Sequence, residues 1–390
     1  MNNETLKCKY AGKCGGCQIP NLTYERQLSM KMSQVIAKMA GLGHVDEIVG
    51  MDDPYGYRNK AQALFMLNTN RQVLSGIYQK STGRPFPVKS CMIIDTECDK
   101  VIADARSIMT ELKIKVCTDN NPYGNVKSIM VRKGFKTGQI MVVFVTIKKD
   151  LEKADQLVKK LVERNPRIVS VMQVINDTDL ELFLGSYEKV LFGRDYIEDE
   201  LCSCTFRISA KSFYQINPTQ TEKLYEKAVE LAKIKQDDIV FDAYCGIGTI
   251  GQVAAKKQKF KKLIGVEIEE KAIADAKVNA KINGIENAEY FAADAGAFIQ
   301  KMKEKPSVVF MDPPRAGASL AFLNKLCKSA PKRIVYVSCN PDTLARDCKV
   351  LKKAGYMIEK IQPFDLFPFT THVETVVSLT FVPKGNNTAK

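Results

Sequence analysis

Long apolar runs are missing from this 390-residue chain. None reaches the ~18 residues that a membrane-spanning helix needs, so nothing in the sequence points to a membrane. The opening, Met1-Asn2-Asn3-Glu4-Thr5, lacks the apolar core of a secretory signal, and a cytoplasmic location is expected. Histidine is scarce, with two in the chain, so His372 stands out. Acidic residues are outnumbered: 44 Asp+Glu face 58 Lys+Arg, a net charge of +14. An excess of that sign favours a polyanionic partner whose phosphates it can neutralise, although solubility alone would also account for it. No internal repeat and no sign of an obligate protein partner is present.

Hydrophobic content of 45% and charged content of 26% suit an ordinary globular protein. The length allows two or three domains. Twelve cysteines in a reducing compartment point to metal, cluster or catalytic work rather than to disulfides.

Residues 1–20 are rich in Cys and Gly and read as irregular. Residues 21–44 read as a capped amphipathic helix bridging the domains, with Thr23 as cap and Gly41 and Gly43 as stop. Short strand-like runs then fill 45–205: Ala61–Leu67, Ser128–Arg132 and Gln139–Ile147, with a turn at residues 133–138 and a helix over Leu151–Arg164. This predicts a smaller α/β domain of mixed topology. From 206 to 384 helix and strand alternate. Ile239–Asp242, Leu263–Glu267, Ala288–Ala293, Ser307–Asp312 and Ile334–Val337 are the strands, which implies a doubly wound parallel sheet. Residues 385–390 read as a tail.

Chemistry-bearing residues gather at the ends of those strands. Asp242-Ala243-Tyr244-Cys245-Gly246-Ile247-Gly248 is a glycine turn from strand to helix. It continues to Gly251 and so matches Gly-x-Gly-x-x-Gly, which raises NAD as a ligand. Glu267, placed to accept from two ribose hydroxyls, and Asp294, placed to accept from an adenine amino group, end the following strands. Acids at successive strand ends fit S-adenosylmethionine better. Further on, Ser338-Cys339-Asn340-Pro341 offers a thiol at a strand end, where open α/β sheets hold ligands. Asp312-Pro313-Pro314-Arg315 precedes it and His372-Val373-Glu374 follows it.

A cysteine thiolate adds to electron-poor carbons such as C6 of uracil. C5 then becomes nucleophilic enough to take a methyl group from a sulfonium, and a base must remove the C5 proton. Cys339 and Glu374 supply that pair, with His372 as the alternative base, and some activation of the thiol is expected. A buried structural cysteine and a surface acid are the bland readings. Arg315, rather than an aromatic after Asp-Pro-Pro, argues against an amino-group acceptor.

Lys211–Asn217, Asp242–Gly248, Asp312–Arg315, Ser338–Pro341 and Phe369–Val376 together resemble the signature set of the RNA uracil-C5 methyltransferase family. The resemblance extends over essentially the whole chain. It implies a class I, Rossmann-like, S-adenosylmethionine-dependent methyltransferase domain beside the smaller mixed α/β domain. It implies Cys339 as nucleophile, Glu374 as proton acceptor, and cofactor contacts from Gln215, Tyr244, Glu267, Asp294 and Asp312.

Near the start, Cys8-x5-Cys14-x2-Cys17 has a ligand-like spacing, with Cys91 as the fourth donor. Spacing leaves iron–sulfur and zinc open. The resemblance favours a [4Fe–4S] cluster on Cys8, Cys14, Cys17 and Cys91, as in the 23S rRNA-modifying members, and so favours rRNA over tRNA. The β-barrel RNA-binding module that precedes the cysteines in some members is not seen before Cys8, which shifts RNA holding to the smaller domain. Lys127, Arg132, Lys133 and Lys136 are the basic candidates there, and the run 256–262 is a second basic stretch. A tRNA uracil-C5 methyltransferase and a non-catalytic iron–sulfur RNA-binding protein are the alternatives.

Overall fold

The computed structural model describes residues 8–118, 123–176, 185 and 187–383; the expected tail at 385–390 lies outside them. Helix α1 (Tyr24–Lys38) is capped as expected by Thr23, whose hydroxyl accepts from the Arg26 N–H. Gly41, at φ +74°, follows its end.

A first sheet contains β1 (Lys60–Leu67), β2 (Val73–Tyr78) and β3 (Pro85–Pro87). After α2 (Thr96–Glu111) come β4 (Val126–Lys133), β5 (Ile140–Thr146), α3 (Ala154–Arg164), β6 (Ile168–Ile175) and β7 (Tyr187–Gly193). The order is β3-β2-β1-β4-β5-β6-β7. Only β5 and β6 run parallel, and α3 makes the crossover between them. Both helices lie on one face, where Val101, Ile108 and Leu157 pack against Ile129, Val142 and Phe144. Helix α2 had no counterpart in the sequence reading. Asp95 starts it by accepting from the Glu97 and Cys98 N–H groups, and its buried set of Cys98, Val101, Ile102, Ala105, Ile108 and Met109 follows the helical period.

A hairpin, β8 (Tyr196–Leu201) and β9 (Cys204–Ser209), leads into the C-terminal part. There follow α4 (Pro218–Ala232), β10 (Ile239–Ala243), α5 (Thr249–Lys257), β11 (Lys262–Glu267), α6 (Glu270–Ile282), β12 (Ala288–Ala292), α7 (Ala295–Lys301) and β13 (Val308–Met311). The chain ends with α8 (Leu320–Ser329), β14 (Arg333–Ser338), α9 (Pro341–Lys353), β15 (Tyr356–Phe364) and β16 (Glu374–Phe381). The sheet order is β12-β11-β10-β13-β14-β16-β15. The strands β10 to β14 are parallel, as the alternating pattern predicted, but β16 slots antiparallel between β14 and β15. The chain moves outward from β10 through β12 and returns to β13, so a ligand crevice opens at the carboxyl ends of β10 and β13.

The boundary expected between residues 205 and 206 falls inside β9. That strand is stitched to α6, since Thr205 and Arg207 donate their N–H groups to Asn283 and Asn279. Arg132, expected to face RNA, is buried and donates instead to the carbonyls of Ser209 and Ser212. Its guanidinium joins the first sheet to the segment entering α4. On α1, Lys31 is fully buried with Asp365, 2.6 Å away, and also donates to the Phe367 carbonyl. Gln27 accepts from the Phe369 N–H. Helix α1 thus clamps the loop that leads to β16.

Candidate active site

The crevice holds a cleft of about 610 Å³. Gln215, Tyr244, Glu267, Asp294, Asp312, Cys339 and Glu374, the site residues expected in the C-terminal part, all line it. Each arrives there from a different loop or strand end. Asp242, inside β10, is buried, and its Oδ2 accepts from the Gly251 N–H at 3.0 Å. A Cβ on Gly251 would meet that oxygen at 2.8 Å, so this glycine serves close packing of helix on strand. Gly248, at φ +84°, begins α5. The last glycine of the Gly-x-Gly-x-x-Gly match thus serves local packing.

Tyr244 sits in the left-handed region at φ +62°, a costly conformation for a side chain with a Cβ. Its ring packs edge-on against Phe322 at 5.4 Å. Glu267 Oε1 accepts from the Ile268 and Glu269 N–H groups, and Oε2 from the Gly246 N–H. Its position is fixed by backbone on both sides of the cleft. Asp294 differs from its expected setting: it stands beyond β12 as the cap of α7, and its Oδ1 accepts from the Ala297 N–H. The exposed rim also carries Phe213, and the Tyr225 hydroxyl lies 3.1 Å from Thr249 Oγ1. Neither was singled out from sequence, and Phe213 lay unremarked inside a longer motif.

Cys339 follows the last residue of β14, and Glu374 is the first residue of β16. Their strands pair with Ser338 opposite Thr375, which sets the two side chains at one end of the sheet. Asn340 caps α9 and also donates to the Arg315 carbonyl at 3.1 Å, fixing the Asp312–Arg315 loop beside the thiol. Arg315 Nη2 is 3.2 Å from His372 Nδ1. Because arginine only donates, that histidine nitrogen accepts, and the ring proton belongs on Nε2. Burial and then Arg315 lower the His372 pKa, and the contact with Arg315 occupies its Nδ1 lone pair.

The thiol is not activated as expected. Burial, then Glu374 and Asp312, push Cys339 up to about 11. Burial also holds the Glu374 carboxyl well above its usual range, reinforced by Asp312. Asp312, partly open to the cleft, is itself pushed up by desolvation to about 7. With its cleft empty of substrate, the protein should therefore react slowly with iodoacetamide at Cys339 near neutral pH. The rate should climb as pH approaches 11, which mass mapping of the alkylated peptide will follow. A fast, pH-independent reaction at pH 7 would show a pre-formed thiolate.

The N-terminal thiols lie apart from this cleft. Cys17 feels repulsion from Cys91, Cys14 and Cys8, and burial with that repulsion pushes it up to about 12. Among the described residues, no group of three or more His, Cys, Asp or Glu side chains is close enough to hold a metal ion. Cys17 and Cys91 share an apolar cluster with Tyr57, Ile93 and Phe369, and the Ile19 N–H donates to the Phe369 carbonyl at 3.0 Å.

The sheet order with its inserted antiparallel strand, and a crevice ringed by acids at strand ends, define a class I S-adenosylmethionine-dependent methyltransferase. Residues 23–382 match the family described as tRNA (Uracil-5-)-methyltransferase, and the chain belongs to this family of RNA uracil-C5 methyltransferases. An uncharacterized RNA methyltransferase of Oceanobacillus iheyensis is 43% identical over 376 residues, 94% of this chain and 81% of that protein. One from Clostridium tetani is 41% identical over 387 residues, 97% and 84% of the two chains. Among solved structures, the Pyrococcus abyssi tRNA (uracil-54, C5)-methyltransferase in complex with S-adenosyl-L-homocysteine superposes with a TM-score of 0.80. It is 28% identical, and the match covers 95% of this chain and 86% of that one. The protein is an RNA methyltransferase that uses S-adenosylmethionine.

Proposed function

We propose that the chain methylates C5 of a uridine in 23S rRNA after covalent addition of Cys339 to C6. The observation that carries the chemistry is the meeting of Cys339 and Glu374 at the paired ends of β14 and β16, in one cleft with Asp312. S-adenosylmethionine supplies the methyl group and leaves as a neutral thioether. Glu267 and Asp294 are suited to its ribose and adenine, with Gln215, Tyr244 and Asp312 completing its walls. The Cys339 thiol loses its proton to solvent as its sulfur bonds to C6, and the double-bond electrons move to C5 and onto the uracil carbonyl. C5 then bonds to the methyl carbon as the sulfonium–methyl bond breaks. Glu374 takes the C5 proton; those electrons restore the C5–C6 double bond and expel the Cys339 thiolate. The target base must be unstacked for C6 to reach the sulfur.

We further propose, from the family resemblance, that Cys8, Cys14, Cys17 and Cys91 hold a [4Fe–4S] cluster, for which the four thiols would have to draw closer than they stand in this structure. Their ligand-like spacing and the mutual repulsion felt at Cys17 support that reading. The cluster would be structural or RNA-orienting, because the methyl transfer has no redox step, and the Ile19 to Phe369 contact links its segment to the loop before Glu374. The cysteine set favours rRNA; the solved relative that acts on tRNA favours the second reading, tRNA. Labelled methyl transfer to 23S rRNA and tRNA transcripts separates them, and label entering tRNA alone would overturn the rRNA assignment. Iron and sulfide should each approach four per chain after anaerobic purification; stoichiometric zinc would exclude the cluster.

A further inference from the structure

The excess positive charge must lie where carboxylates do not cancel it. Most of the basic residues first considered for RNA do not meet that condition. Lys133 bridges Asp95 and Glu97, and Lys136 bridges Glu222 and Glu200. In the run 256–262, Lys257, Lys261 and Lys262 pair with Glu226, Glu304 and Glu289. A different basic surface is concave: a groove of about 400 Å³ between the end of α1 and the outer face of α9, carrying Lys38, Asp342, Arg346, Lys349 and Lys353.

The four α9 positions recur at intervals of four, three and four, so they form one stripe along the helix. Asp342 is neutralised by Lys38. Arg346 pairs through Nε with the buried Asp347 and holds the carbonyls of Ala316 and Ala318 through Nη2. Lys349 and Lys353 are exposed and have no ion-pair partner among the described residues. Helix α9 starts two residues after Cys339. The stripe therefore leaves the mouth of the cleft and runs about 16 Å along the domain at 1.5 Å per residue. Its apolar lining is limited to Ala345 and Val350, without the aromatic anchors that mark protein partners.

We infer that this groove binds the phosphates of the RNA strand flanking the target uridine, with Lys349 and Lys353 as the phosphate-facing cations. Arg346 is the positioning residue that ties the groove to the loop carrying Arg315. The inference rests on the RNA-methylation reading and extends it to a surface outside the cleft.

The test is RNA binding by the full chain without methyl donor, across a salt series. Lys349→Glu with Lys353→Glu should raise the Kd for a long uridine-containing RNA at least ~10-fold. The Lys349→Gln with Lys353→Gln variant should lower the log–log salt slope by roughly 1.4, the loss of two single-strand phosphate contacts. Binding of S-adenosylmethionine, which does not involve the groove, checks that both variants are folded. Binding of the uridine nucleoside, which carries no flanking phosphate, should not change. Wild-type affinity and slope in both variants would overturn the groove while leaving the methylation reading intact. A wild-type protein that binds no RNA would overturn both.

Discussion

Cys339→Ala should lower methyl transfer to RNA by at least ~10³-fold, the scale on which covalent enzymes suffer when the nucleophile is removed. The physical reason is that C5 of uracil is not nucleophilic until C6 carries an extra bond. No other thiol in the cleft can replace Cys339: Cys245 also lines it but is buried, its pKa raised well above its usual value by burial and Asp242. The Cys339→Ala protein should still bind S-adenosylmethionine, because the acids that ring the cofactor end of the cleft are unaltered. Retained methyl transfer in that variant would defeat the covalent mechanism. Loss of methyl transfer with intact donor binding would exclude the non-catalytic alternative for the parent protein.

Glu374→Gln should behave differently. Glutamine fills nearly the same volume but cannot accept the C5 proton. Turnover should fall by about 10²–10⁴-fold, the usual worth of a general base, while addition and methyl transfer proceed. The product of those steps is a methylated uracil still bonded to Cys339, so protein and RNA should migrate together on a denaturing gel. Treating the complex with ribonuclease and weighing the Cys339 peptide gives the adduct mass. A Glu374→Gln protein that turns over normally and forms no adduct would move the role of base elsewhere, with His372 next in line. Combining Glu374→Gln with Cys339→Ala should abolish the adduct.

The C-terminal sheet was legible because parallel strands buried on both faces leave continuous apolar runs, such as Ile239-Val240-Phe241, each closed by a turn. The antiparallel insertion of β16 was not, since strand neighbours outside a βαβ unit leave no local mark. The cleft residues were legible as motifs because an acid or thiol at a strand end is a local pattern. Their electrostatics were not: the pKa of Cys339 is raised by Glu374 and Asp312, which only the fold brings beside it. Lys31 shows the same limit. On an amphipathic helix a lysine reads as solvent-facing, yet it is buried on Asp365, 334 positions away. Arg132 misled in the same direction, since the carbonyls that bury its guanidinium come from residues 209 and 212. The basic stretches looked available because their acidic partners are distant in sequence.

The carboxyls in and beneath the cleft also make the protein a proton carrier. Asp242 and Asp312 are pushed up to about 7, and Glu374 lies well above its usual range. A raised carboxyl pKa means that the folded chain holds protons which the unfolded chain has already released. Stability from these groups is full below the unfolded carboxylate range and declines as pH rises towards 7. A cationic ligand reverses the balance: its charge favours the ionised acids and drives protons into solution as it binds. Donor affinity should thus strengthen with pH. The spent donor has lost its sulfonium charge, so it should recover less of that gain and leave more readily. The same acids that destabilise the empty cleft thereby act as a ratchet that favours fresh donor over product.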